Sequence, residues 1–139
     1  MRARASAILL AFASACASGN ALAQACGEAL GPAVTRTDST HYSIAWRTVP
    51  ERVVVGQHFV VDFAVCPKTG AKVPQAVRVD ANMPAHRHGM NYRAGVAARG
   101  PGTYRAEGLL FHMAGRWDLT FDVVSGSTTE RLTSPMQLP

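Results

Sequence analysis

The stretch Trp117-Asp118-Leu119-Thr120-Phe121-Asp122-Val123 alternates large apolar and polar residues without a break. Successive side chains leave an extended chain on opposite sides, so the pattern predicts a strand with one face buried. The same alternation recurs upstream. Tyr42, Ile44 and Trp46 interleave with Ser43, Ala45 and Arg47, and Val77, Val79 and Ala81 with Arg78, Asp80 and Asn82. Between Thr103 and Phe111, a regular strand would set Tyr104, Ala106, Gly108 and Leu110 on one face. The near-continuous apolar run Phe59-Val60-Val61-Asp62-Phe63-Ala64-Val65 suits a central strand.

Two more strands are expected, from Asn91 to Ala98 and from Arg131 towards Leu138. Pro84 ends the strand before it, because proline has no N–H for a ladder. Gly100-Pro101-Gly102, Met113-Ala114-Gly115 and the Gly/Ser/Thr stretch from Ser125 to Thr129 supply turns. No long helical period competes. About seven short strands at this spacing predict an all-β, immunoglobulin-like β-sandwich, with Trp117 and the Val/Phe runs filling the space between sheets.

The N-terminus has the form of a secretory leader. Arg2 and Arg4 precede an apolar run from Ala7 to Ala15, and Ala21-Leu22-Ala23 is a small-x-small cleavage pattern. The run is shorter than the roughly 20 residues of a membrane span. The expected organisation is a signal peptide over 1–23, a coil lead-in over 24–39 and one sandwich domain over 40–139. Export to a bacterial periplasm follows. Lipid attachment at Cys16 or Cys26 is the lesser alternative, since neither has a Leu-Ala-Gly type lead-in. Loss of Arg2 and Arg4 lowers the formal charge from +5 to +3. The remaining arginines are scattered, with no basic stripe of the kind nucleic acid requires. No second apolar stretch is long enough to span a membrane.

Cys26 and Cys66 remain after cleavage. Two cysteines in an oxidising compartment read as a disulfide, with a thiolate metal pair as the alternative.

The chemistry concentrates in two places. Met83-Pro84-Ala85-His86-Arg87-His88-Gly89-Met90 carries two imidazoles and two thioethers, and His112-Met113 follows about twenty residues later. Three of five histidines and three of five methionines fall there. On an extended chain His86 and His88 would project to the same side, and Gly89 would let a bend return Met90 towards them. From Met90 the chain runs out along one strand, turns at Gly100-Pro101-Gly102 and comes back, which would set position 112 beside 88 to 90. Candidate ligands are His86, His88 and His112, then Met90 and Met113 as the favoured sulfur donors, then Met83. His41 and His58 read as surface or hydrogen-bonded residues, and Met136 as core filler.

Imidazole with thioether points to copper, as Cu(I), Cu(II) or both, because sulfur is soft and imidazole serves both states. Zinc favours thiolate or carboxylate partners. A c-type haem needs Cys-x-x-Cys-His, which is absent, and a blue-copper centre needs a free thiolate.

The run Asp80 to Met90, together with Gly108 to Trp117, resembles the YtkA-like domain family, related in pattern to FixH-like proteins. The marks are Met-Pro-x-His-x-His at Met83 to His88 and Phe-x-Met-x-Gly-x-Trp at Phe111 to Trp117. The resemblance covers roughly residues 40 to 124. It implies a sandwich fold and a copper-linked role beside an exporter, an oxidase or an oxidase-assembly system, with Met83, His86, His88, His112 and Met113 carried over.

The expected function is a periplasmic protein that buffers or delivers copper. The alternative is a non-metal envelope interaction domain presenting the same rim. No nucleophile–base ordering, carboxylate pair or cofactor loop supports an enzyme.

Overall fold

Alternation in the sequence becomes alternation in burial. Ala76–Met83 buries every second residue, Val77, Val79, Ala81 and Met83, against a core that the other strands complete. The fold is a computed structural model that describes residues 25–139. The expected signal peptide lies outside the described residues.

Nine strands follow in order: β1 Thr35–Asp38, β2 Tyr42–Val49, β3 His58–Pro67, β4 Ala76–Met83, β5 His88–Gly89, β6 Gly95–Gly100, β7 Thr103–Leu110, β8 Gly115–Ser125 and β9 Thr128–Leu138. They form two antiparallel sheets, ordered β1-β2-β3-β7-β6 and β5-β4-β8-β9. The chain is thus an all-β sandwich, as its sequence leads one to expect. Trp117, Phe63, Phe111, Phe121, Leu119 and Ile44 fill the space between the sheets. Phe121 sits against both Trp46 and Phe63 across that space.

Two strands exceed the seven read from sequence, and both are short. Within the expected coil lead-in, β1 pairs with β2 from Thr35↔Trp46 to Asp38↔Ser43, and a 3-10 turn occupies Glu28–Leu30. Thr35–Asp38 is polar throughout and mostly exposed, so no apolar period marks it. The strand expected from Asn91 begins only at Gly95. Met90 and Ala94 still pack on the core, but as parts of a connecting loop.

Cys26 and Cys66 form a disulfide with their Cα atoms 5.8 Å apart. It ties the N-terminal turn to the end of β3, as the compartment argument proposed. Gly126, at φ +62, sits in the two-residue turn joining β8 to β9, which pair from Ser125↔Thr128 to Gly115↔Leu138.

On the outer face of the larger sheet, Asp62 of β3 lies between Arg47 of β2 and Arg105 of β7. Arg105 donates two hydrogen bonds to its carboxylate, at 2.6 and 2.8 Å. Those bonds, and the charges of Arg105 and Arg47, hold the Asp62 carboxyl below its ordinary range against the opposing effect of burial. The Ser39 hydroxyl and the His41 backbone N–H likewise lower Glu130, to about 2. A carboxyl with a depressed folded pKa adds stability that is full above its unfolded pKa and lost as pH falls through the folded one. Stability should therefore decline between about pH 4.5 and 2 as Glu130 protonates. Glu130→Gln and Asp62→Asn should each flatten that decline in denaturant titrations at stepped pH. An unchanged slope in both variants would contradict the assignment.

Candidate metal centre

At the end of β4, Pro84 stops the ladder and a 3-10 turn covers Pro84–His86. Arg87 then adopts a left-handed conformation, φ 56 and ψ 35, and reverses the chain into β5. β5 pairs back on β4 with His88 opposite Met83 and Gly89 opposite Asn82. The Met90 N–H closes the reversal on the Ala81 carbonyl at 3.2 Å.

His86 and His88 are accordingly not successive outward positions of an extended chain, as sequence reasoning had it. A turn and the left-handed Arg87 bring their rings to 5.7 Å between centroids. The reversal falls at Arg87 and not at Gly89, which lies within β5.

The second segment leaves β7 at Leu110. Phe111 is fully buried, and its carbonyl accepts the Gly56 N–H at 2.8 Å. Phe111 stacks on Trp117 at 4.6 Å and 12°. The Trp117 indole N–H donates to the Met113 carbonyl at 3.1 Å, clamping the turn that carries His112. His112 and His88 come to 5.1 Å between ring centroids, so the two segments meet. Trp117 stands edge-on to both, 5.4 Å from His112 and 5.8 Å from His88.

The three imidazoles therefore form a row with His88 in the middle. His88 Nδ1 lies 3.1 Å from the Gly89 carbonyl, which can only accept, so the neutral tautomer that makes this bond has the proton on Nδ1 and a lone pair on Nε2. His112 Nδ1 is buried with no hydrogen-bond partner. The other such nitrogen among the described residues, Trp46 Nε1, is an N–H that no metal could use. In its Nε2–H tautomer, His112 offers a buried lone pair instead. No set of three or more His, Cys, Asp or Glu side chains among the described residues is disposed to hold a metal ion as the rings stand.

The methionines are distributed differently from the expected order. Met83 is 2% exposed and sits directly opposite His88, on the same face of the sheet, where paired Cβ atoms lie roughly 5 Å apart. Its methyl reaches Gly115, where a Cβ would stand 2.9 Å from it, and the φ of +116 at Gly115 favours glycine there. Met113 is partly buried beside His112. Met90 packs against the core and lines a groove along β4. His41 is bound to Glu130, and His58 packs edge-on to Tyr92 at 5.1 Å. Met136 packs against the core.

Sequence reasoning did not find Trp117 as a wall of the site. Its alternation marks it as core, which it is, and nothing in the pattern tells which edge of the ring faces the rim.

The fold and this rim define a small all-β sandwich domain carrying an imidazole–thioether cluster at one end. The family model described as YtkA-like matches residues 36–122, more than half of the chain, and the chain belongs to the YtkA-like family. Among solved structures, a DUF4426 family protein from Pseudomonas aeruginosa PAO1 is similar, with a TM-score of 0.51 at 9% identity. That match covers 76% of this chain and 94% of that one, and at such identity it bears on the fold alone. No curated protein matches the chain.

An unpartnered buried nitrogen costs stability, roughly 1 to 3 kcal/mol. His112→Leu should therefore raise the unfolding free energy of the metal-free protein, measured by denaturant titration, by about 1 kcal/mol. A clear loss of stability would show that His112 is an ordinary packing residue.

Proposed function

We propose that this protein binds copper at the rim and buffers or delivers it in the periplasm. The observation that carries the reading is the buried, unpartnered Nδ1 of His112, on a ring 5.1 Å from that of His88 and 5.4 Å from that of Trp117, with the thioether of Met83 paired across from His88. A lone pair in such a place is costly until it is bound. His88 Nε2 and His112 Nδ1 are the inner imidazole ligands, and Met83 or Met113 is the thioether. His86 is exposed on a turn and completes the set by a change of rotamer. Met90 is the least favoured donor, because its side chain is engaged along β4. Mixed imidazole and thioether ligation selects copper over zinc, and an exposed ligand such as His86 suits exchange with a partner site. A copper exporter, an oxidase or its assembly system is the kind of partner the family resemblance implies.

The second reading is an envelope interaction domain without metal. It draws on the open arrangement of the three rings, and on Val54 and Val55, which are exposed in the turn that hydrogen-bonds to Phe111.

Copper retention after desalting separates the two. The purified protein, loaded with Cu(I) under reductant or Cu(II) without it, should keep about one copper per chain in at least one state. His88→Ala and His112→Ala should each weaken binding by at least about tenfold, and Met90→Leu should not. Trp117 fluorescence should respond on loading, since its ring borders the site. Substoichiometric copper in both states would defeat the metal reading.

A further inference from the structure

The two long sides of the sandwich are finished differently. Where β1 faces β9, the Thr37 hydroxyl donates to the Thr133 carbonyl at 3.1 Å, and His41 meets Glu130 at 2.8 Å. That side is laced shut. On the other side, β5 covers β4 only opposite Asn82 and Met83. From Ala76 to Asp80 the outer edge of β4 has no strand partner among the described residues.

The backbone phase of this edge is set by the Met90 N–H bonded to the Ala81 carbonyl. Backbone groups alternate between the edges of a strand, so those of Val79 and Val77 face the same open side. A groove of about 530 Å³ runs along it, lined among others by Val77, Val79, Met90, Tyr92, Arg93 and Val96.

Exposed edges invite pairing, and proteins blunt them with proline, short length or irregularity. β9 carries Pro135, β1 has four residues, and β6 begins and ends in glycine. The eight residues of β4 include neither proline nor glycine and keep a regular alternation.

The spare charge in the groove is positive. Arg131 holds both oxygens of Asp122, at 2.6 and 2.7 Å, which leaves Arg78 and Arg93 against the single carboxylate of Asp80, whose Oδ1 accepts the Ala81 N–H at 2.8 Å. Among the described residues, neither Arg78 nor Arg93 is paired with a carboxylate. A strand added to β4 would turn alternate side chains inward, towards Val77, Val79 and Val96, and the others outward beside Arg78. The chain's own first 24 residues contain no carboxylate, so they have the wrong charge for this place.

We propose that the open edge of β4 docks an extended acidic segment of a partner protein as an added strand. Its apolar residues enter the groove, and its carboxylates meet Arg78 and Arg93. The groove reaches Met90 but is lined by none of the rim histidines. The inference stands whether or not the rim binds copper.

The probe is the blocked peptide Val-Glu-Val-Glu-Val-Glu-Val, titrated into the purified protein with amide hydrogen exchange read by NMR. Strand addition should protect the Val77 and Val79 amides by about tenfold or more. Arg78→Glu with Arg93→Glu should weaken binding by about tenfold, while the Arg→Lys pair retains most of it. Peptide N-methylated at alternate residues should fail to bind. Equal binding of the Val-Lys counterpart, or protection confined to other strands, would overturn the proposal. Concentration-dependent protection of Val77 and Val79 without peptide would also overturn it, by making a second copy the occupant.

Discussion

The indole of Trp117 has no exposed surface, yet it reaches the rim. One face stacks on Phe111, its single N–H is spent on the Met113 carbonyl, and its edge meets the rings of His88 and His112. These contacts join the core of the sandwich to two segments that lie far apart in sequence. Because the buried indole packs on Phe111 and spends its N–H on the Met113 carbonyl, the turn after β7 has little freedom. The position of His112 is a consequence of core packing more than of local turn chemistry.

Strand alternation was legible in β4 and β8 but failed within β7, where a register shift against β3 at Gly108 puts Leu109 and not Leu110 in the core. Val77, Val79 and Ala81 announce β4, and Trp117, Leu119, Phe121 and Val123 announce β8, because burial on one side selects apolar residues at period two. β1 was invisible, since its side chains are polar and mostly exposed and only its backbone pairing makes it a strand. The meeting of the two His/Met segments was legible from the out-and-back path of β6 and β7. Their detailed geometry was not. The left-handed conformation of Arg87 depends on β5 pairing back on β4, a long-range event that no local propensity reports.

The order of the thioethers shows the same limit. Sequence proximity to the histidines favours Met90 and Met113. Pairing favours Met83, which lies directly across from His88 and under Gly115. A methionine buried in the core is thus also the sulfur closest in register to the central imidazole. The two roles are compatible, because a buried thioether at the margin of a core both packs and offers a soft lone pair.

X-ray absorption at the copper edge, on protein loaded under reductant, tests the central claim most directly. The account requires both imidazole nitrogen and thioether sulfur in the first coordination shell, with the sulfur contribution lost in Met83→Leu or Met113→Leu. A shell of nitrogen and oxygen alone, or sulfur scattering unchanged in both variants, would contradict it.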